Sequence, residues 1–365
     1  MQAFLRKGKV LMKAARIYGK QDLKIEDVEL REPKDDEVQV KVKYVGICGS
    51  DIHMYQEGSG IPYTPHPLTG KTVPLTEGHE FSGEVVKVGK DVTSFSAGDH
   101  VCIEPAIACG KCEFCRKGLY NYCVNGVGED GSLQFIGFSE DGGMAEYTNV
   151  KENFTFKLPE GMDYDLGALV EPATVTYQAV RDSGLVSGQS VVVFGAGPIG
   201  LLTALMARVA GATKVYIADL AEVRLQKARE LGFEDVINSG EVDFVKHVHE
   251  QFPSGVDVVF ECAGAQPTLN QAVQLTAPAG VLEIVALFNG DYKIDIATMQ
   301  NKGAQIHTTM GYANAFPQTI SIVNQHRDLF KKLITKKIGL DETEEGIKSL
   351  MDDKSQVKIL ISPEK

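Results

Sequence analysis

The chain has 365 residues, is 43% hydrophobic and carries a formal net charge of −12. That length suits two domains with separate cores, and the acidic balance argues against nucleic acid or an anionic membrane surface as a partner. No apolar run reaches the roughly 18 residues that a membrane-spanning helix needs.

In chain order, Met1–Met12 is basic but has no apolar central stretch, so no secretory signal is expected there. Met1–Leu11 reads as an extension ahead of the fold, with strand-like sequence starting after Met12 at KAARIYG. EVQVKVKYVGIC, FSGEVVKVG and DHVCIEP alternate apolar and polar residues, as half-buried strands do. Short strands between glycine-marked turns predict a folded-over barrel or sandwich. The run CGKCEFCRKGLYNYC interrupts this β region as a polar lobe without a core of its own. Near residue 165 the pattern turns helical in DLGALVEPATVTYQAVRDSG, where Pro172 must break or kink the helix. SVVVFGAGPIGLLTALMARVAGATKVYIAD then reads as strand, turn, helix and strand, and VDVVFECAG and VLEIVALF as further buried strands. Strands alternating with helices predict an α/β, doubly wound parallel sheet. Beyond about residue 305 come a helix (FPQTISIVNQH), the segment LFKKLITKKIGL, a second helix (ETEEGIKSLMDD) and a last strand (QVKILIS). That strand needs a sheet to join, and the first domain offers one. The expected domains are therefore a β-rich catalytic domain over 1–168 with its lobe at 109–123, a dinucleotide-binding domain over 169–308, and a return segment over 309–365.

Gly195-Ala196-Gly197-Pro198-Ile199-Gly200 is a G-x-G-x-x-G turn between an apolar strand and a helix, the context that gives this motif meaning. Gly195 makes the turn, Gly197 lets the backbone approach a pyrophosphate, and Gly200 lets helix and strand pack closely. Amides at the helix start, from Pro198 and Ile199 onward, face the phosphates. Asp219 closes the second strand; a carboxylate there accepts from an adenosine ribose and repels a 2′-phosphate, which predicts NAD over NADP. Arg224 is placed to cover the adenine or meet a phosphate.

Cys109, Cys112, Cys115 and Cys123 are spaced C-x2-C-x2-C-x7-C. Four thiolates suit a closed, tetrahedral structural zinc site. An iron–sulfur centre is the alternative, although the last spacing departs from the ferredoxin pattern; free surface thiols are the other. A second set lies far apart in sequence: Cys48 in GICGSDIH, His79 and Glu80 in EGHEFSGEV, and Glu171 in VEPATV. A thiolate, an imidazole and carboxylates make the mixed shell of an open, catalytic zinc site. Cys102 and Cys262 read as core residues, and a disulfide scaffold is not expected in a chain of this size and type. His66, His100, His247, His249, His307 and His326 carry no motif and read as structural or surface residues.

The order GICGSDIH, GHEFSGEVVKVG, CGKCEFC-x7-C, EP, GAGPIG and Asp219 resembles the zinc-dependent medium-chain dehydrogenases, over nearly the whole chain from Met12 onward. That resemblance implies a GroES-like β domain with a Rossmann domain inserted before the returning tail. Within the family the acidic pair Glu80 and Glu171, and the long segment PHPLTGKTVPLTEGHEFSG, are similar to butanediol and sorbitol dehydrogenases. It implies two zinc ions per chain and NAD, acting on a secondary alcohol such as a vicinal diol or hydroxyketone. By the same resemblance Ser50 touches the substrate oxygen, His53 passes its proton onward, and Asp51 orients His79. It also implies a homodimer or homotetramer in the cytoplasm. The rival readings are a sorbitol- or xylitol-type polyol dehydrogenase, and a nucleotide-binding protein that has lost catalysis.

Overall fold

A computed structural model describes residues 4–6 and 9–365. The chain divides into two compact units, Met1–Glu171 with Phe316–Lys365, and Pro172–Ala315.

The first unit is built on a seven-stranded sheet. Its order is Ile334–Gly339, Lys358–Ser362, Glu37–Gly46, Glu80–Val88, His100–Ile103 and Thr155–Lys157, with Tyr147–Lys151 also paired to Glu37–Gly46. The tail strand Lys358–Ser362 runs antiparallel to Glu37–Gly46, Leu360 facing Gly46. Alternation in EVQVKVKYVG sends Val38, Val40 and Val42 into a core with Val85, Val101, Ile103, Ile359 and Ile361. Each such side chain contributes on the order of 2 kcal/mol of apolar burial. The opposite face is less open than the alternation suggests. Gln39 is also buried, and its amide donates to the Arg31 carbonyl and to Asn149 Oδ1.

A smaller sheet pairs Lys9–Gly19 with Asp22–Glu29 and with Leu75–Thr76. Here the reading of Met1–Leu11 as an extension needs correcting. Phe4–Arg6 is a strand antiparallel to Lys9–Gly19, with Phe4 facing Leu11 and Arg6 facing Lys9. These few residues carry no clear period, so only the pairing reveals the strand; residues 1–3, 7 and 8 lie outside the described residues.

The helical stretch near residue 165 does break, but at Leu169: the helices are Tyr164–Ala168 and Val170–Asp182. Pro172 sits in the first turn of the second, where a missing N–H leaves no helical bond unmade.

In the second unit six parallel strands take the order Val236–Asn238, Lys214–Asp219, Ser190–Phe194, Val256–Glu261, Thr276–Ile284 and Gln305–Thr308. Ser190–Phe194 is buried at every residue, as a central parallel strand must be. The outer strands, VIN and QIHT, are too short for the sequence pattern to register. Among the described residues no helix is long and apolar enough to cross a membrane.

Candidate active site

Cys48 stands where Glu37–Gly46 ends and the helix Gly49–Glu57 begins. Asp51 fixes that corner: its Oδ2 accepts from the Cys48 amide at 2.8 Å, closing a capping box. Its Oδ1 stands 3.5 Å from His79 Nδ1. One carboxylate thus holds the backbone beside one metal-type donor and faces the ring of the other.

His79 follows Gly78, whose φ of +93° is glycine's territory. A Cβ at Gly78 would meet Met144 Cγ at 2.7 Å and Val45 Cγ2 at 2.8 Å, so this turn also needs the missing side chain for packing. The result is a buried imidazole with Phe138 at 5.2 Å between ring centroids and Ser50 Oγ at 3.4 Å from Nε2. The donor atoms of Cys48, His79 and Glu80 all lie within 4.8 Å of one another.

Glu80 is at the same time engaged by a lysine. Both its oxygens accept from Lys358 Nζ, at 2.8 and 2.6 Å, and the same ammonium donates to the Ile47 carbonyl at 3.1 Å. Glu80 is fully buried and Lys358 nearly so. Burial alone would lower the lysine's pKa, but the Glu80 charge, then Cys48, and further Glu171, hold it above its usual value. Gly46, directly opposite Glu80 in the ladder, makes room for this pair, because a Cβ there would collide with Glu80 Oε2. Glu171 is buried at the start of Val170–Asp182 and outside the three-donor group, though its charge reaches Lys358.

Two groups here went unread in the sequence. Lys358 is a lone charge in the apolar strand KILIS, and a charge in a strand buried on both faces demands a partner; that was a legible signal. Glu77 gave none. It is fully buried, and neither carboxylate oxygen has a hydrogen-bond partner. Burial first, then the charge of Asp51, push its pKa well above the ordinary range, against the pull of His79. His53 lies on the same short helix as Ser50, with Nδ1 3.5 Å from Glu57 Oε1.

The four-cysteine lobe forms a second donor group, with all four Sγ atoms within 4.8 Å of one another. Cys109 Sγ and Cys115 Sγ are 3.9 Å apart. Zinc–sulfur bonds of about 2.3 Å at tetrahedral angles place sulfurs roughly 3.8 Å apart, so the spacing fits. Backbone amides of Cys109, Cys112 and Cys115 donate to Sγ of Cys123, Cys109 and Cys112, and Asn125 Nδ2 donates to Cys109. The Lys111 amide and then Asn125 bring the Cys109 thiol down to about 6, whereas burial and then Cys112 and Cys123 push Cys115 up to about 12. Sulfurs this crowded ionise together only around a cation. Replacing Cys112 with serine is expected to lower bound zinc by one ion per chain and expose the lobe to proteolysis, as metal analysis and limited digestion will show.

In the second unit, Gly195 has a φ of +94°, and a Cβ on it would meet the Cys262 carbonyl at 3.1 Å. Gly197 faces open space, with only Arg224 at 4.0 Å from an added Cβ, and Pro198 opens the helix Pro198–Val209. A Cβ on Gly200 would strike the Gly195 carbonyl. Asp219 Oδ2 accepts from the Ala196 amide at 2.7 Å and Oδ1 from the Ala221 amide at 2.8 Å. The acid thus braces the glycine turn from the neighbouring strand, and Arg224 stands 3.8 Å from it. An amide-lined, side-chain-free cradle with a carboxylate at its edge fits a dinucleotide.

Family comparisons agree with this geometry. Residues 34–160 match the alcohol dehydrogenase GroES-like domain, and residues 198–325 match the zinc-binding dehydrogenase domain. The (R,R)-butanediol dehydrogenase of Bacillus subtilis (strain 168) is 42% identical over 96% of this chain and 100% of that protein. The sorbitol dehydrogenase of the same organism is 31% identical over 96% and 97%. Among solved structures, 2R,3R-butanediol dehydrogenase from Bacillus subtilis superposes with a TM-score of 0.90 at 41% identity, covering 96% of this chain and 99% of that one. A Sinorhizobium meliloti 1021 protein, described as a zinc-binding dehydrogenase and bound to NADP, gives 0.89 at 30% identity, covering 97% and 100%.

Proposed function

The chain belongs to the zinc-binding alcohol dehydrogenase family and is an oxidoreductase that uses zinc and a nicotinamide dinucleotide; from that premise we propose that it interconverts 2,3-butanediol and acetoin with NAD. The meeting of Cys48, His79 and Ser50 in one half-buried corner carries the chemical reading. The butanediol assignment is supported by the 42% identical relative of matching length.

In this reading Cys48 and His79, with Glu171 as a further ligand, would hold the catalytic zinc, and the four-cysteine lobe would hold the structural one. Bound zinc supplies a Lewis acid that favours the deprotonated alcohol, and bound NAD supplies the hydride acceptor. Ser50 takes the hydroxyl proton and His53 conveys it outward. Asp51 keeps the His79 ring turned so that Nε2 faces Ser50. Lys358 withdraws Glu80 from the donor set, leaving room for substrate oxygen. The first and last segments, 1–168 and 309–365, then carry the chemistry, and 169–308 carries the cofactor. A homodimer or homotetramer in the cytoplasm completes the assignment, and light scattering tests the assembly.

The decisive assay is NAD reduction across the stereoisomers of 2,3-butanediol, with 2-butanol, sorbitol and xylitol as comparators. One stereoisomer is expected to lead. It should exceed 2-butanol in kcat/KM by about tenfold, the worth of one additional hydrogen bond. A lead by sorbitol or xylitol would select the polyol reading, which the sorbitol dehydrogenase relative supports.

Asp219→Gly is expected to narrow the preference for NAD over NADP by at least about tenfold, because it removes both the repulsion and the ribose acceptor. It also frees the Ala196 amide, so KM for NAD should rise more than kcat falls. An unchanged ratio of kcat/KM between the two cofactors would show that Asp219 does not read the ribose.

A further inference from the structure

The helix Gly49–Glu57 carries Ser50 near its start, His53 one turn on and Glu57 at its end. Residues three and four apart share a helix face, so these three line one side of it. The helix is held from several directions. Met54 and Tyr55 are buried, the Gln21 amide donates to the Tyr55 carbonyl at 2.7 Å, and the Tyr55 hydroxyl donates to Glu344 Oε1 at 2.5 Å. The Gly58 amide closes its end on the Met54 carbonyl at 2.9 Å.

On this fixed helix the two ring nitrogens of His53 differ. Nδ1 is buried and has no hydrogen-bond partner, although the side chain as a whole is 45% exposed. The exposure of the ring therefore lies away from Nδ1. The group that Nδ1 faces is Glu57 Oε1, at 3.5 Å. That is a little beyond bonding distance, and a small rotation of either side chain closes it.

Helix stability does not account for Glu57. A carboxylate in the last turn opposes the helix dipole, and no basic residue stands there to offset it. Histidine first and glutamate four residues later is also the weaker order for an ion pair along a helix. Between side chains this exposed, such pairs contribute little to stability. A residue that breaks a local rule without a structural return points to function.

We propose that Glu57 is a positioning residue for the proton path: it holds His53 in the Nδ1–H tautomer and so leaves Nε2 as the proton acceptor. The bond made by one ring nitrogen of a histidine decides the state of the other. An ionised carboxylate only accepts, so the nitrogen that faces it is the N–H. Nε2 then takes the proton released by the alcohol, and the ring becomes an imidazolium beside the Glu57 carboxylate. Nε2 gives that proton to water at the exposed side of the ring. Glu57 stays ionised throughout and keeps Nδ1–H, so the ring ends each cycle in the tautomer with which it began. The inference rests on the proposed role of His53 in carrying the proton outward; it does not depend on which alcohol is oxidised.

The test compares Glu57→Ala and Glu57→Gln with the parent holoenzyme. The alanine removes the acceptor; the glutamine removes the charge but keeps an oxygen that accepts from Nδ1–H. Nitrogen NMR spectra of the neutral imidazoles report the tautomer, the His53 signal being the one lost in His53→Asn. The single-turnover rate of NAD reduction, NAD affinity and melting temperature are followed alongside. The parent is expected to show Nδ1–H, Glu57→Gln to keep it, and Glu57→Ala to move the ring toward Nε2–H. A general base contributes roughly 10²- to 10⁴-fold, and the group that orients it a part of that. The single-turnover rate should therefore fall about tenfold in Glu57→Ala, with NAD bound at parental affinity, and recover in part in Glu57→Gln. Three outcomes overturn the inference. One is a parent His53 that carries its proton on Nε2. Another is a Glu57→Ala variant with the parental tautomer and the parental rate. The third is an equal loss of rate in both variants together with a lowered melting temperature, which makes the pair merely structural. A Glu57-dependent tautomer in protein that oxidises no secondary alcohol would instead overturn the functional reading alone.

Discussion

His79→Ala is expected to lower kcat by about 10³-fold while NAD binds with its parental affinity. A Lewis acid at the reacting oxygen is worth several kcal/mol, and each 1.36 kcal/mol is a factor of ten. The loss should be specific because His79 is joined to a corner that survives without it. Asp51 still caps Cys48, and Lys358 still holds Glu80. Metal analysis should fall from two zinc ions per chain to one, the remainder being that of the four-cysteine lobe. The dinucleotide cradle lies in the other unit, at Gly195–Gly200 and Asp219, and contains no part of this corner. Isothermal titration with NAD and steady-state kinetics separate the two effects. A variant that keeps a kcat within tenfold of the parent would remove His79 from the metal site.

Lys358→Met is expected to destabilise the first unit by roughly 3–5 kcal/mol, because it leaves a fully buried carboxylate without its counter-ion. The Lys358→Met, Glu80→Gln double variant should recover much of that loss, since removing both charges of a buried pair is often nearly neutral. Thermal melting of the four members of this cycle gives the coupling directly. The pH dependence follows from the sign of the lysine's shift, which is upward. A lysine held above its unfolded value near 10.4 contributes its full stability below that pH and loses it as the pH climbs through the raised value. The lysine's own contribution is therefore complete at both pH 6 and pH 8 and is lost only in strong alkali. The single variant should also change metal behaviour. With Lys358 gone, Glu80 is free to turn toward Cys48 and His79, tightening zinc while filling the place of substrate oxygen.

Much of this architecture was legible in the chain. The alternation of EVQVKVKYVG, the unbroken apolarity of SVVVF and the glycine turn each arise from local rules, and the structure obeys them. The clustering of the four cysteines was legible because they are close in sequence. What escaped was long-range. Phe4–Arg6 becomes a strand only because Lys9–Gly19 lies beside it. VIN and QIHT are strands because they border longer ones. Glu80 reads as a metal ligand from its place after His79, and only the tail strand shows that both its oxygens are engaged. Glu77 offered no clue, since nothing in LTEGHE says that its carboxyl is sealed from solvent.

The bond between Glu80 and Lys358 joins residues 278 positions apart. Chains are made from the N-terminus at about 5–20 residues per second, and domains tend to fold as units while synthesis proceeds. On the ribosome, then, Glu80 waits many seconds for its counter-ion, while the intervening Pro172–Ala315 unit emerges whole and closes its own core. The Pro172–Ala315 unit is ready first. The unit that holds Glu80 cannot settle until Lys358–Ser362 has been made, and the corner at Cys48 and His79 lacks its neighbouring ion pair until then.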